Sequence, residues 1–99
     1  MKTYAGARTI DGIKVTVDGA PLDERLDIAK FTDLGFEWTY EGDSPKQLSL
    51  ALLADHFGDD EKARQLCEPF MRAVIADLDN DWQMTSAEID AAVQNLPDA

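Results

Sequence analysis

The 99-residue chain reads as a single α+β domain: a small antiparallel β-sheet packed against two to three α-helices. Three observations predict this. Residues 1–42 alternate apolar and polar positions around two Asp-Gly pairs. Residues 43–99 carry apolar spacings of helical period. Between them Gly42, Ser44, Pro45 and Gln47 mark an abrupt change of pattern.

Taken in order, KTYAGART and IKVTVDG are strand-like runs joined at Asp11-Gly12, a hairpin-turn signal. Ile13, Val15 and Val17 alternate with Lys14, Thr16 and Asp18, which gives the second strand one buried face and one wet face. Asp18-Gly19 turns the chain into APLDERLDIAKF, an irregular segment whose Leu22, Leu26 and Ile28 lie over the core. GFEWTY alternates again, with Phe36, Trp38 and Tyr40 on one side, and predicts a third strand.

Ser44 with Gln47 three residues later has the form of a capping box, and Pro45 suits the first helical position. Leu48, Ala51 and Leu52 then form an apolar face that Leu50 and Leu53 widen, and Gly58 ends the helix. Asp59 and Asp60 open a second helix with the apolar set Ala63, Leu66, Cys67, Phe70, Val74 and Leu78. Pro69 inside it removes the hydrogen bond to the Gln65 carbonyl, predicting a kink or split. Trp82 and Met84 flank Gln83 as a candidate fourth strand. Thr85 with Glu88 forms another capping box before a short third helix, which Pro97 stops.

GFEWTYEGDSPKQLSLALL carries a signature, G-F-x-W-x-Y-x-G-x-x-P-x-Q-L-x-x-A-L-L. In this the chain resembles an uncharacterised family of small bacterial, archaeal and phage proteins, a domain of unknown function. Tyr4 and Gly6, TVDG followed by PLD, and Trp82 with Thr85, Ser86 and Ile89 extend the resemblance over nearly the whole chain. The resemblance implies a setting in phages and mobile elements and attaches no activity. Thr39 and Asp43–Ser44 stand where the family commonly has glycine, so the turn before the first helix is expected to differ in shape.

Charge narrows the function. Residues 1–30 hold five basic and five acidic residues, while 31–99 hold four basic and fifteen acidic, the source of the net charge of −11. Such a surface repels phosphate backbones, which excludes direct nucleic-acid binding as the expected role. No run is long and apolar enough to span a bilayer and no apolar leader opens the chain, so a soluble cytoplasmic protein without membrane contact is expected. A single Cys67 allows no internal disulfide.

One window has metal-ligand spacing. In DLDNDWQMTSAE, Asp77, Asp79, Asp81 and Glu88 fall at the first, third, fifth and twelfth places of an EF-hand loop. Trp82 stands where that loop needs a glycine turn, and Thr85 and Glu88 are already engaged as a capping box. These four carboxylates are weak metal candidates, and the expectation is an acidic turn with no metal and no cofactor. Nor do Cys67 and His56 form a recognisable nucleophile and base, so no enzyme is expected.

The remaining reading is a binding module for a protein with a basic surface, for instance a nucleic-acid-binding complex. An inhibitor or DNA mimic of the anti-CRISPR or anti-restriction type fits an acidic protein with this family resemblance. The alternatives are an accessory or structural phage protein without inhibitory activity, or a single EF-hand-like calcium domain; a homo-oligomer stays open. The candidate contact residues are Glu37, Glu41, Asp43, Asp55, Asp59, Asp60 and Glu61, expected near the strand–helix corner.

Overall fold

A computed structural model describes residues 1–96. Strands β1 (Thr3–Thr9), β2 (Gly12–Val17), β3 (Ala20–Pro21) and β4 (Trp82–Thr85) form one antiparallel sheet in the order β3-β2-β1-β4. Helices α1 (Asp43–Phe57), α2 (Asp60–Ala73) and α3 (Ser86–Gln94) complete an α+β fold. Among the described residues no helix is long and apolar enough to cross a membrane. The expected stop at Pro97 lies outside the described residues.

The Asp18-Gly19 pair is a two-residue loop between paired Val17 and Ala20, with φ of 49° and 86°. Positive φ at both central residues matches the right-handed twist of a tight hairpin. The first hairpin turns one residue earlier than its sequence suggests. Thr9 pairs with Gly12, so Ile10 and Asp11 form the loop, and Gly12 takes φ 117° in the first ladder pair. Tyr4, Gly6, Val15, Trp82 and Met84 are buried on the inner face of the sheet. Ile13 departs from the expected buried set: the hairpin outruns the core, and its side chain is exposed. Gly6 is there because Trp82 crosses it; an added Cβ would lie 2.3 Å from the indole nitrogen.

GFEWTY is not a strand. Positive φ at Gly35 (83°) and Thr39 (81°) breaks the extended run, and β4 already occupies the β1 edge by pairing with Thr3–Gly6. Trp38 is fully buried while Tyr40 is exposed, so the predicted aromatic face does not exist. The fourth strand at Trp82–Thr85 forms as the alternation there predicts.

The Ser44–Gln47 capping box does not form either. α1 starts at Asp43 with Gly42 as N-cap and no side-chain cap. Ser44 Oγ instead meets Thr32 Oγ1 at 2.9 Å. Gln47, fully buried, turns inward: its Oε1 accepts from Phe31 N–H at 2.8 Å, and its Nε2 donates to the carbonyls of Glu24 (2.8 Å) and Ala29 (3.0 Å). One amide thus supplies three backbone groups of the irregular segment with partners. A cap at a helix end can be replaced by water, whereas these groups would be left dry.

α1 is buried all round rather than along one stripe, with Leu48, Leu50, Leu52 and Leu53 all shielded. It is the central helix, with α2 packed along it and Ser49 Oγ donating to the Cys67 carbonyl at 2.7 Å. Gly58, in the left-handed conformation, closes α1. Asp59 caps α2 by accepting from Lys62 N–H. α2 runs through Pro69 without splitting; the carbonyl deprived of its partner belongs to exposed Gln65, where solvent can serve it. The Thr85–Glu88 capping box of α3 is complete in both directions.

Two outcomes follow from this architecture. Gln47→Leu keeps the volume but strands three backbone groups, and should cost about 2–4 kcal/mol in urea denaturation. A loss well under that would show that water or rearrangement satisfies the segment without Gln47. Thr39→Gly should raise stability by about 1 kcal/mol, because a β-branched residue at positive φ is strained by more than the added chain entropy of glycine. An unchanged or lower midpoint would show that Thr39 is not strained.

Candidate functional site

The acidic residues divide into two groups set by the length of α1, about 20 Å for its 15 residues. Asp55, Asp59, Asp60 and Glu61 lie at its C-terminal end and the adjoining start of α2. Glu37, Glu41 and Asp43 lie at the other end. The seven carboxylates expected at one corner therefore do not form one face.

The C-terminal group is largely engaged. Asp55 accepts from Lys2 Nζ at 3.1 Å and from the Tyr4 hydroxyl at 2.7 Å. Burial first, then this bond to Asp55, pushes the Tyr4 hydroxyl pKa well above its ordinary value. Asp59 is the α2 cap, Asp60 meets Arg25 at 3.3 Å, and Glu61 meets Arg64 at 3.6 Å. Acidic groups here also favour the helix N-terminus of α2.

The other end is assembled around Arg8 and Trp38. Arg8 Nη2 and Nη1 grip the two Glu37 oxygens at 2.7 and 3.0 Å, a bidentate pair. The same guanidinium donates to the Trp38 carbonyl and to Asn80 Oδ1, and lies 4.7 Å over the Trp38 ring. Trp38 Nε1 donates to the Asn80 carbonyl at 3.1 Å, and its ring meets Trp82 edge-on with centroids 5.8 Å apart. Thr39 N–H reaches the Ile75 carbonyl at 3.2 Å. The outward Arg8 N–H, beyond the last β4 pair, meets Asp81 Oδ1 at 3.4 Å.

These bonds lay residues 37–39, just before α1, against residues 75–81, a juxtaposition that sequence reasoning missed. Asp77, Asp79 and Asp81 thus share one end of the molecule with Glu37, Glu41 and Asp43. All three aspartates are exposed, and none lies within ion-pair distance of a Lys or Arg among the described residues. Glu41 approaches Arg72 at 3.5 Å, with both side chains well exposed. The only signal that could have found this arrangement is the lone Arg8 of a strand that neighbours β4.

The calcium-like window folds as the end of a short 3-10 turn (Ile75–Asp77), a short irregular stretch that bends at Asn80 and Asp81, β4 and the start of α3. Glu88 bonds to Thr85, not toward the aspartates. Among the described residues no three His, Cys, Asp or Glu side chains are grouped to hold a metal ion. Cys67 is buried and donates to the Arg64 carbonyl, and burial pushes its thiol pKa up. His56 instead pairs with Asp90 at 2.6 Å.

A family profile matches residues 4–95, a span holding every element that builds this acidic end except the first residue of β1, Thr3. The chain belongs to DUF6166, a family of unknown function. No curated protein and no solved structure matches it.

The Arg8 pairing holds the Glu37 carboxyl below its usual range, with burial opposing. The folded chain therefore binds this proton less tightly than the unfolded one. The pair's contribution is full above about pH 4.3, the ordinary Glu value, and fades as pH falls through the depressed folded value. Glu37→Gln should lose under about 1 kcal/mol near neutral pH, since the pair is partly exposed. The difference from the parent protein should shrink in urea titrations at about pH 3. A pH-independent difference would assign the effect to packing rather than charge.

Proposed function

We propose that the protein acts by binding a basic, nucleic-acid-handling protein complex through the acidic end formed by Glu37, Glu41, Asp43, Asp77, Asp79 and Asp81, imitating a run of phosphates. An inhibitor of the anti-CRISPR or anti-restriction type carried by a phage or mobile element is the form of this reading that the charge and the family resemblance favour. The observation behind it is the exposed Asp77–Asp79–Asp81 run, left without cations in a chain where most cations are spent. Lys2, Arg8, Arg25, Lys30, Lys46, Arg64 and Arg72 each have a carboxylate partner, leaving Lys14 and Lys62 of the nine basic residues without one among the described residues. Internal pairing therefore leaves the excess negative charge facing outward, where it attracts a basic groove and repels nucleic acid.

A pull-down from host lysate supplies the partner for a kinetic test. Association should slow steeply as salt rises from about 0.1 M to 1 M and the Debye length contracts from about 10 Å to 3 Å. Converting Asp77, Asp79 and Asp81 to Asn should slow association about tenfold and change dissociation much less. Nucleic acid should compete. Binding that ignores salt, competitor and the triple variant alike would sink the mimic reading.

A further inference from the structure

Among the described residues part of the β2 edge of the sheet is uncovered, and it is apolar. β3 is two residues long, so it shields β2 only at Thr16 and Val17. The Leu22 N–H adds one bond to the Val15 carbonyl at 3.0 Å. Alternate residues of an antiparallel strand bond to opposite sides, so Ile13, two before Val15, turns its N–H and C=O toward the same edge. Among the described residues no strand reaches them there.

Beside this edge runs an open groove between β2 and the Leu34–Phe36 loop, lined by Ile13, Val15, Leu22, Leu34 and Phe36. Leu34 is 87% exposed and Ile13 39%, and Ile10 in the adjoining turn is fully exposed. Large aliphatic side chains standing in water next to a free strand edge are the two components of β-strand addition. The edge supplies main-chain bonds, and the groove takes alternate side chains.

Charge selects the occupant. Glu24 also lines the groove, and its carboxylate has no cation partner among the described residues. Lys14 is also in the lining, but it belongs to the alternate set of β2, whose side chains project from the opposite face to Ile13 and Val15. A second copy would bring another net charge of −11 to the same place. We infer that this groove receives an extended segment of a protein partner, in which apolar side chains alternate with Lys or Arg, added as a strand along the Ile13 edge of β2. The inference rests on the basic-partner reading above and adds to it an apolar anchor, one strand over from Arg8 and the acidic end.

The test uses the full chain, labelled with ¹⁵N, and a short blocked peptide of alternating valine and lysine. Saturable amide shifts are expected at Gly12–Val15 and Leu34–Phe36. Ile13→Ser and Leu34→Ser, both at exposed positions, should each weaken the peptide about tenfold, and Glu24→Gln about threefold. The counterpart peptide with glutamate in place of lysine should not bind. Absence of saturable shifts at the groove, equal binding of the glutamate peptide, or shifts confined to Asp77–Asp81 would each overturn the inference. So would sedimentation showing a dimer that Ile13→Ser dissociates, since the groove would then be filled by a second copy. Peptide binding at the groove that survives the Asp77, Asp79 and Asp81 to Asn variant supports the groove whatever becomes of the phosphate-mimic reading. Loss of the lysate partner's binding in that variant, with the peptide site silent, would leave the mimic reading standing alone.

Discussion

The buried amide of Gln47 holds together a part of the chain that has no regular structure of its own. Apart from the short β3, residues 18–42 make neither helix nor strand, an unusual length for a compact domain. Backbone in that condition must find hydrogen-bond partners or stay in water. Gln47 offers one acceptor and two donors at a single point on the central helix, and Phe31, Ala29 and Glu24 use all three. With the segment pinned there, α1 can be covered on the side that neither sheet nor α2 reaches. That is why a helix with polar residues in its first turns is nonetheless shielded throughout from Ser44 to Ala54, except at Lys46.

What the sequence made legible was local. The Asp18-Gly19 turn, the Asp59 cap, Gly58 in the left-handed region and the reciprocal Thr85–Glu88 box are all decided by residues within a few positions of one another. So is the Trp82–Met84 alternation that makes β4. Ser44 and Gln47 show the limit of such reasoning. Their spacing satisfies the capping pattern, yet both side chains have tertiary partners more than ten residues away in Thr32 and the 24–31 segment. GFEWTY fails for a related reason. Alternation is a necessary mark of a strand, but a strand also needs an edge to join, and a local pattern cannot say that β4 has taken it.

The acidic site was half legible. Composition located the negative charge in the last two thirds of the chain, and residue type identified Glu37, Glu41 and Asp43. Sequence distance then misled twice. It grouped those residues with Asp55 to Glu61, which the length of α1 holds apart, and it read Asp77, Asp79 and Asp81 as a window to be judged alone. Their neighbours arrive through β1 and through the loop before α1, contacts separated by dozens of residues. The groove beside Ile13 was equally hidden, because regular alternation along IKVTV gives no hint that the hairpin outruns its core.

Arg8 links these levels. Like charges crowded at one end raise their own free energy. The Arg8 guanidinium neutralises Glu37, bonds Asn80 and the Trp38 carbonyl, and covers the Trp38 ring. Trp38 in turn reaches Asn80 through its indole N–H and braces Trp82, which needs the bare backbone of Gly6 beneath it. The order of dependence therefore runs from packing to charge. Gly6 admits Trp82, the two indoles fix the 75–81 loop against the segment before α1, and Arg8, with the more exposed Arg72 beside Glu41, supplies the positive charge among the six carboxylates of that end. A field of this kind needs a cation at its centre as much as carboxylates at its rim.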